Sequence, residues 1–403
     1  MNNGISPKSL SNRIQRISYS QTLEMSRKSM ELRKQGIDII NLSIGEPDFQ
    51  TPVHVKEAAK KAIDDNFSFY APVAGFQDLR EAISKKLKYQ NRLNFAPEQI
   101  VVSNGAKQAL ANVVLTLVDQ DCEVLIPAPY WNTYAELDNL AHGTNVFLPT
   151  TIENNYKVTA QQVEAAITPK TKVFLFSSPS NPAGSVYSKS ELKALAEVFA
   201  RHENIFIISD EIYEHINFVG QHESIAQFEE LKNRVIIING VSKGYAMTGW
   251  RVGYIAAPLW IANNCEKLQG QYTSGVCSIA QKAALAAISG DDLYTLGMNE
   301  LFRRRRDMVM ELISDIPGMI CNVPDGAFYV FPNVTAFFGK RYENFEINND
   351  QDFSLFLLSK AHVATVPGSA FGIEECIRIS YATSNEKIDV AFERIKNAVA
   401  LLK

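Results

Sequence analysis

Several hallmarks of other protein classes are missing from this sequence. No uninterrupted apolar stretch approaches the roughly 20 residues that a membrane-spanning helix needs, and the N-terminal residues contain no apolar signal segment. The five cysteines are scattered without a Cys-x-x-Cys pair, and the six histidines show no ligand spacing, which argues against disulfides and a metal site. The net charge of −4 gives no general attraction to nucleic acid or to an anionic membrane. We therefore predict a cytoplasmic protein with reduced thiols and no bound metal.

A dinucleotide-binding motif is also missing, because no Gly-x-Gly-x-x-Gly follows any of the apolar runs. This absence disfavours a dinucleotide-dependent oxidoreductase. The sequence instead contains short β-branched runs separated by helical stretches, a pattern typical of an α/β protein with a mostly parallel sheet covered by helices on both faces. The predicted strands of this sheet lie near residues 100–102, 124–126, 173–176, 205–208, 235–238 and 253–257.

The stretch from Gly240 to Gly253 contains the residues that first suggest a chemistry. Lys243 follows a predicted strand among small residues, where partial desolvation lowers the pKa of an amine and suits it to Schiff-base formation. Arg251, further along the same stretch, is suited to a phosphate dianion. A lysine for an aldehyde and an arginine for a phosphate together indicate pyridoxal phosphate. The same pair taken alone also fits a surface lysine before a glycine-rich turn.

Polar residues follow most of the predicted strands, at the edge of the sheet where ligands bind in open α/β folds. Because the carboxyl ends of parallel strands meet at one edge, residues far apart in sequence converge there. A lone surface lysine does not explain such convergence. The residues concerned are Gly105, Trp131, Asn181, Asp210, Tyr213 and Lys243.

Each of these residues fits a need of the cofactor and also has a plainer interpretation. The helix that begins near Ser103–Lys107 offers free N–H groups to a phosphate, although ordinary helix capping uses the same residues. Trp131 can lie against a pyridine ring or pack in a core. Asp210 can keep the ring nitrogen protonated or cap a helix. Tyr213, one helical turn later, can face the same ligand.

The last strand-like segment, Cys376–Tyr381, alternates like a half-exposed strand, and Arg378 is its one cation. A lone arginine in a strand is usually part of a surface ion pair. A bidentate clamp for a substrate carboxylate is the alternative.

Together these motifs resemble those of the fold-type I, class I/II pyridoxal phosphate aminotransferases over nearly the whole chain. The resemblance rests on the segments 45–49, 180–184, 209–213, 240–253 and 378–380, which follow one another in the order expected for that family. Within the family, the first of these segments and the residues after the lysine are most similar to the prokaryote-type aspartate aminotransferases.

The resemblance implies a large domain with a seven-stranded, mostly parallel sheet between helices, and a smaller α+β domain built from both chain ends. The implied boundaries are 1–50 for the N-terminal arm and part of the small domain, 51–290 for the cofactor-binding domain, and 291–403 for a linking helix and the small C-terminal domain. It also implies a homodimer with shared active sites, in which Tyr70 reaches the phosphate bound by the other subunit.

The resemblance further implies a role for each candidate in a ping-pong transamination. Lys243 would hold the cofactor as an internal aldimine and then move a proton between the substrate Cα and the cofactor. Asp210 would bind the pyridine nitrogen, while Tyr213 and Asn181 would contact the ring oxygen. In the same way, Trp131 would stack on the ring and border the substrate, Gly105, Ala106, Lys107 and Arg251 would surround the phosphate, and Arg378, with the Gly45 backbone and Asn181, would hold the substrate α-carboxylate.

One position departs from the family pattern. Some relatives place a phosphate-binding serine three residues before the lysine, where this chain has Gly240. Either Ser242 takes over part of that role, or the phosphate relies on Arg251 and the helix N-terminus.

The resemblance also bears on the choice of substrate. Lys107 is similar to the lysine that meets the distal carboxylate of acidic substrates in this branch, with Ser20 and Thr22 as candidate helpers. This similarity favours aspartate and 2-oxoglutarate, giving oxaloacetate and glutamate. Aromatic amino acids or prephenate stay open on the same scaffold, as does a pyridoxal phosphate lyase. A non-enzymatic binding protein is disfavoured because Lys243 is accompanied by Asp210 and an arginine for the phosphate.

Overall fold

The computed structural model describes residues 10–19 and 21–403 of the chain. Helices and strands alternate through its middle, as the sequence predicts. The α-helices in the described part are α1 (Asn12–Gln15), α2 (Gln21–Lys34), α3 (Val53–Asp64), α4 (Gln77–Gln90), α5 (Ala106–Leu117), α6 (Thr133–Leu140), α7 (Ala160–Ala166), α8 (Lys189–Ala200), α9 (Leu259–Tyr272), α10 (Ser278–Ser289), α11 (Leu293–Ser314), α12 (Asp350–Phe356) and α13 (Asn385–Val399).

The strands are short, and those of the central sheet are the most apolar. They are β1 (Ile40–Asn41), β2 (Ile100–Ser103), β3 (Glu123–Pro127), β4 (Thr144–Leu148), β5 (Thr171–Ser177), β6 (Phe206–Asp210), β7 (Val235–Gly240), β8 (Gly253–Ala256), β9 (Tyr329–Val330), β10 (Arg341–Tyr342), β11 (Phe345–Glu346), β12 (Val363–Ala364), β13 (Val366–Pro367) and β14 (Ile377–Ser380).

The central sheet has seven strands in the order β2-β8-β7-β6-β5-β3-β4. Strand β8 is antiparallel to both of its neighbours, and the other neighbouring strands are parallel. The alternation of short strands with helices predicted this arrangement, since parallel neighbours need a crossover connection. The predicted α/β fold with a mostly parallel sheet is confirmed.

Strand β7 explains why its sequence is a continuous apolar run. Ile236 and Ile238 pack in a core cluster with α5 and α9 on one face of the sheet. Ile237 points to the other face, into the cluster formed with α3, α4 and α10, because successive side chains of a strand alternate between faces. Both faces are covered by helices, so every position of the run is buried.

A second region joins the two ends of the chain. Strand β1 pairs in parallel with β12, and β13, β14 and β9 form a three-stranded antiparallel sheet. Ile40 near the N-terminus, Phe302 on α11 and Ile388 on α13 lie in one core cluster. This arrangement is compatible with a smaller domain drawn from both chain ends, and the boundaries near residues 50 and 290 stay a prediction.

Two local expectations were wrong. Strand β14 was predicted to be half-exposed, but all four of its residues are buried, because it is the middle strand of its sheet and its polar side faces a cavity. Strand β4 was not predicted at all. It is an edge strand with several partly exposed residues, so its sequence lacks the apolar run that marks the other strands.

No helix in the described part of the chain combines the length and apolarity needed to cross a membrane.

Candidate active site

The polar residues that follow the strand ends surround one cavity of about 500 Å³. It lies where β5, β6 and β7 end and where α5 begins, which is the edge of the sheet that the sequence predicts. Most of the predicted site residues line it, namely Gly45, Ala106, Lys107, Trp131, Asn181, Asp210, Tyr213, Lys243, Arg251 and Arg378.

Asp210, the last residue of β6, is only 2% exposed. The Tyr134 hydroxyl donates to one of its carboxylate oxygens at 2.8 Å, and the backbone N–H of Ile212 donates to the other at 3.2 Å. Burial raises the pKa of Asp210 to about 6, although the hydrogen bond from Tyr134 opposes the shift. The carboxylate is therefore ionised at neutral pH and is directed at the cavity.

Lys243 extends into the cavity from the turn after β7. Its ammonium donates to the backbone oxygen of Gly45 at 2.6 Å and lies 5.9 Å from the ring centroids of Tyr213 and Phe328. Desolvation lowers the pKa of Lys243 to about 8, and the nearby Arg378 adds to this effect. An amine with such a pKa is partly neutral under mildly alkaline conditions, which a nucleophile requires.

Arg378 lies on β14 and is 2% exposed. It donates to the Asn181 side-chain oxygen at 3.0 Å and to the Ser43 backbone oxygen at 2.6 Å. Its guanidinium also stacks over the rings of Tyr329 and Phe371, with centroids at 4.5 and 4.9 Å. No carboxylate pairs with it in the described part of the chain, and its Nε has no hydrogen-bond partner there. The surface ion pair considered for this residue is thus excluded, and a buried cation faces the cavity.

Tyr213 and Asn181 lie between these groups. Tyr213 is 4% exposed, and its hydroxyl is 2.8 Å from that of Tyr329. Burial raises the pKa of Tyr213, and Tyr329 adds to the shift, so the phenol stays protonated and can donate a hydrogen bond. Asn181 keeps its amide group available while its oxygen accepts from Arg378.

Arg251 lines the cavity beside the start of α5, and Gly105 lies directly against its guanidinium. Gly105 has a φ of 79°, and a Cβ at this position would lie 2.2 Å from a guanidinium nitrogen of Arg251. Arg251 itself is held by the backbone oxygens of Thr248 at 2.8 Å and Asn104 at 3.3 Å. The guanidinium and the free N–H groups at the beginning of α5 therefore face the same volume, which is what a phosphate requires.

Close packing between β7 and β8 explains why position 240 is a glycine and not the serine of some relatives. Gly240 on β7 pairs with Gly253 on β8, and a Cβ at Gly240 would lie 2.7 Å from the Gly253 Cα. A serine cannot occupy this position unless the two strands move apart. Ser242, which is 6% exposed, lines the cavity instead.

The opposite wall of the cavity is more open. The Lys107 ammonium lies 4.8 Å from the ring centroid of Trp131. Desolvation, followed by the charge of Arg251, lowers the pKa of Lys107. The N-terminal segment lies against this wall, because the Ser18 backbone N–H donates to a Glu136 carboxylate oxygen at 2.9 Å. Ser20 and the side chain of Thr22, which the sequence suggested as helpers of Lys107, lie outside the described residues.

Tyr70 is the predicted site residue that the fold does not bring to the cavity. It is 97% exposed and lies in a loop on another part of the surface, beside Cys277 and Ser278. Within one chain it contributes nothing to the site.

Several residues around the cavity were missed by the sequence analysis. Tyr134 and Tyr329 look like ordinary core aromatics in the sequence, yet they hold Asp210 and Tyr213 in place. The helix α6 carries Leu137 and Leu140 on its cavity side, and Ile17 joins them from the N-terminal segment. Their spacing is that of any amphipathic helix, so no signal in the sequence separates them from core residues.

Comparison with known proteins gives consistent matches. Residues 37–395 match the model of the family described as "Aminotransferase class I and II". The chain is 44% identical over 401 residues to a bifunctional aspartate aminotransferase and glutamate/aspartate-prephenate aminotransferase from Petunia hybrida, covering 98% of this chain and 84% of that protein. It is 43% identical over 395 residues to an aspartate/prephenate aminotransferase from Nitrosomonas europaea, covering 97% and 100%.

Solved structures give the same picture. The aspartate aminotransferase from Rhizobium meliloti superposes with a TM-score of 0.95 at 39% identity, covering 99% of this chain and 100% of that one. The aspartate aminotransferase from Thermus thermophilus with maleate superposes with a TM-score of 0.91 at 37% identity, covering 97% and 99%.

Proposed function

Because the chain belongs to the class I and II aminotransferases, which use pyridoxal 5'-phosphate, we propose that it transfers the amino group of L-aspartate to 2-oxoglutarate by a ping-pong reaction. The substrates of the family are amino acids and 2-oxo acids. The observation that carries the proposal is that two cations line the same cavity, the buried Arg378 on β14 and the exposed Lys107 on α5. Together they suit a dicarboxylic substrate.

The cavity fits the cofactor on four features of its residues. Gly105 allows the Arg251 guanidinium to lie against the start of α5, where a phosphate would meet both, since any Cβ at Gly105 would overlap the guanidinium. Ser242 adds a hydroxyl to the lining of the same cavity. Asp210 supplies a buried carboxylate for the ring nitrogen. Lys243 supplies the amine, with a pKa of about 8.

Bound pyridoxal phosphate supplies an aldehyde that condenses with amines and a ring that accepts the electron pair left when the substrate Cα loses its proton. We assign the other tasks to the chain's own residues. Asp210 holds a proton at the ring nitrogen, because its carboxylate stays ionised at neutral pH. The Tyr213 hydroxyl would donate a hydrogen bond to the oxygen of the pyridine ring. With the group bound, Lys243 would accept the substrate Cα proton as a neutral amine and later give the same proton up as an ammonium, so that no net proton would be gained or lost.

Arg378 binds and orients the substrate α-carboxylate in this proposal. Its Nε lacks a partner in the described part of the chain, and burial lowers its pKa, which indicates that the charge is poorly solvated without a ligand. A carboxylate that docks there gains a charge-assisted hydrogen bond and removes an unpaired buried cation. The aromatic rings around Arg378 exclude water from the pair.

Lys107 selects the side chain of the substrate in this proposal. It is the cation on the open wall of the cavity, over Trp131. A solved relative at 37% identity was determined with maleate, which is a dicarboxylate, and this supports an acidic substrate. The roles of Ser20 and Thr22 as helpers stay predictions.

A second candidate substrate is prephenate or an aromatic amino acid. The wall opposite the sheet contains the apolar side chains of Ile17, Leu137 and Leu140, which would pack against a ring. Relatives such as the protein from Nitrosomonas europaea are named aspartate/prephenate aminotransferases, and this naming supports the candidate. A lyase activity on the same cofactor is the weaker alternative, because the relatives compared are aminotransferases.

We also propose a homodimer with shared active sites. Tyr70 and its neighbour Phe69 are 97% and 82% exposed, which is unusual for large aromatic side chains in a monomer. A second subunit that covers this loop would bring Tyr70 to the phosphate end of its partner's cavity. A cytoplasmic location stays a prediction from the cysteines.

The proposal is tested with single-turnover half-reactions of the loaded enzyme. Aspartate, alanine and phenylalanine serve as amino donors, and 2-oxoglutarate and prephenate as acceptors, while the absorption of the cofactor reports each turnover. We expect aspartate to react at least about tenfold more efficiently than alanine, since a second charged contact contributes on the order of 1.5–3 kcal/mol. Equal rates for alanine and aspartate would refute the acidic substrate, and a chain that binds no pyridoxal phosphate would refute the proposed chemistry.

A further inference from the structure

The turn that follows β6 has two sides with different contacts. Asp210 and Tyr213 line the cavity. Glu211 and Glu214 lie in the same turn but outside that lining, and they are 1% and 8% exposed. Buried carboxylates are costly unless they are paired and hydrogen-bonded. The back of the turn therefore requires its own set of partners.

Glu214 receives four such contacts. Lys86 of α4, itself 6% exposed, forms a buried salt bridge with it. Asn91 donates to its Oε2 at 2.7 Å, and Asn239 of β7 donates to its Oε1 at 2.8 Å. His215 lies 3.5 Å from the same oxygen. Burial opposes ionisation of Glu214, but the charge of Lys86 outweighs it and holds the pKa well below its usual range.

Glu211 is held in the same manner by a different segment. The side chains of Ser209 and Ser224 donate to its Oε1 at 2.9 and 2.6 Å. The ring of His222, whose side chain is 7% exposed, donates to Oε2 at 3.0 Å. Burial works against protonation of His222, but Glu211 outweighs it and raises the pKa of His222. Two buried carboxylates thus face the Lys86 ammonium and the His222 ring.

These charges form one cluster. Ligand atoms of Glu211, Glu214 and His222 lie within 4.8 Å of one another, a spacing compatible with a metal ion. The Lys86 ammonium already supplies positive charge beside Glu214, and the carboxylate oxygens already accept hydrogen bonds. The cluster is therefore an ionic network. The other titratable groups around it are His215, Asp292, Tyr245 and Tyr254.

Asn239 connects this network to the lysine of the site. While its amide donates to Glu214, its oxygen accepts the backbone N–H of Gly240 at 2.7 Å. Gly240 ends β7, three positions before Lys243. The neighbouring contact runs the other way, since the Glu211 N–H donates to the Ile238 oxygen at 2.9 Å. The two turns that carry Asp210 and Lys243 are thus bonded to each other behind the cavity.

We propose that Lys86, Glu214, Asn239, Glu211 and His222 form a buried, hydrogen-bonded clamp that positions Asp210 and Tyr213 relative to Lys243. None of the five touches the cavity, so they are positioning residues. The inference rests on the proposed function for its consequence in catalysis. Its structural part, the coupling of the two turns, is independent of the cofactor.

The test uses the full chain, loaded with pyridoxal phosphate, as Glu214→Gln, Lys86→Met and the double variant. Leu192→Ala is the matched control, because Leu192 is fully buried on α8, remote from the cavity, and its truncation lowers stability without touching the clamp. Hydrogen exchange of residues 210–216 and 240–246 reports the coupling. The pH at which the visible absorption of the loaded enzyme changes reports the field at Lys243.

We expect both single variants to accelerate exchange in both turns by at least about tenfold, and the control to leave these segments unchanged. Glu214→Gln leaves Lys86 uncompensated, so the absorption midpoint falls. Lys86→Met leaves Glu214 uncompensated, so it rises, each by about half a unit or more. The double variant restores the midpoint, and kcat falls in the single variants while KM changes little.

The proposal would be overturned if the absorption midpoint shifted in the same direction in both single variants. It would also be overturned if the midpoint did not shift and exchange changed only as in the control. Either result would show that the cluster only stabilises the fold. If the wild-type chain showed no visible band, the proposed cofactor chemistry would fail. The exchange measurement would then decide on the clamp by itself, since coupled opening of the two turns supports it and independent opening overturns it.

Discussion

The floor and the outer wall of the cavity are built in different ways. The floor residues, which follow or lie on strands, are between 2% and 8% exposed. Those of the outer wall are partly or fully exposed and lie on helices, on the loop before α6 and on the N-terminal segment. We define the floor as Asn181, Asp210, Tyr213 and Arg378, with Lys243 above it, and the outer wall as Ile17, Ser18, Lys107, Trp131 and Glu136.

This difference in burial suggests a division of roles between the two regions. Floor side chains are fixed by bonds to buried partners, as Asp210 is by Tyr134, so their geometry is held for the step common to all substrates. In the proposed function the wall residues meet the variable part of the substrate, a task that exposed surface positions suit. Changes to the floor should therefore affect every substrate, while changes to the wall should alter the choice among them.

Replacement of the lysine above the floor should have the largest effect. In Lys243→Ala we expect the transamination rate to fall by at least about 10⁴-fold for every donor, because the proton-transfer group and the covalent anchor are both lost. Pyridoxal phosphate should still bind, but borohydride should no longer fix it to the protein, which mass spectrometry measures. Lys193→Ala, at an exposed lysine of α8, is the control. Retained reduction in Lys243→Ala would assign the linkage to another lysine.

The floor carboxylate should give the next largest effect. Asp210→Asn keeps the shape but cannot hold a proton at the ring nitrogen, so we expect kcat to fall by about 10²–10³-fold for all donors alike. The pKa of Asp210 is raised to about 6 in the free enzyme. Affinity for pyridoxal phosphate should therefore be full above this pH and decline as the pH falls through about 6, where the carboxylate takes up a proton.

Titration of cofactor-free enzyme with pyridoxal phosphate between pH 5 and 8 measures this dependence. The Asp210→Asn variant should show weaker binding and no inflection near pH 6. An unchanged inflection in the variant would place the titrating group elsewhere, and Lys243 would be the first candidate.

The floor could be predicted from the sequence, whereas of the outer wall only Lys107 and Trp131 were predicted. Asp210, Asn181 and Lys243 each follow an apolar strand, so the edge of the sheet places them. Arg378 was expected on a half-exposed strand, because alternation in one strand does not reveal that its polar side faces a buried cavity. Ile17 meets α6 across the cavity, and such a contact between distant segments leaves no pattern in either.

The buried clamp behind the floor illustrates the same limit. Lys86 and Glu214 are 128 positions apart, and each looks like a surface charge in the sequence. Only the packing of α4 against the sheet brings them together in the interior. Charge patterns along the chain predict surfaces well, since most charges are exposed, and they fail where two such charges compensate each other in a core.

The outer wall should show its effect as a change in selectivity. In Lys107→Ala we expect kcat/KM for aspartate to fall by about 10–100-fold, since a charged hydrogen bond contributes on the order of 1.5–3 kcal/mol. Phenylalanine should change less than about threefold, because its ring meets Ile17 and Leu137 rather than the lysine. Half-reactions with both donors measure the ratio, and Lys193→Ala is again the control. Equal losses for the two donors would mean that Lys107 binds the cofactor phosphate and not the substrate side chain. The proposed preference for aspartate would then be refuted.

The smallest effect on activity is expected at Asp138, inside the helix that supports the outer wall. Asp138 is 1% exposed, and neither carboxylate oxygen has a hydrogen-bond partner in the described part of the chain. Burial raises the pKa of Asp138 from 3.8 to about 7. The folded protein thus favours the protonated acid, and its stability should decline as the pH rises from about 4 to about 7, where the proton must be released.

Asp138→Asn removes this dependence. Because each pKa unit corresponds to about 1.4 kcal/mol, the variant should gain up to roughly 4 kcal/mol relative to the wild type between low pH and pH 8, with unchanged aspartate turnover. Urea unfolding at several pH values measures the gain, and Asp64→Asn on the exposed side of α3 is the control. Loss of stability at pH 8 would mean that the ionised carboxylate has a cation as its partner. Both the outer wall and the floor would then be supported by buried ionic contacts. The two regions would differ only in how exposed their residues are.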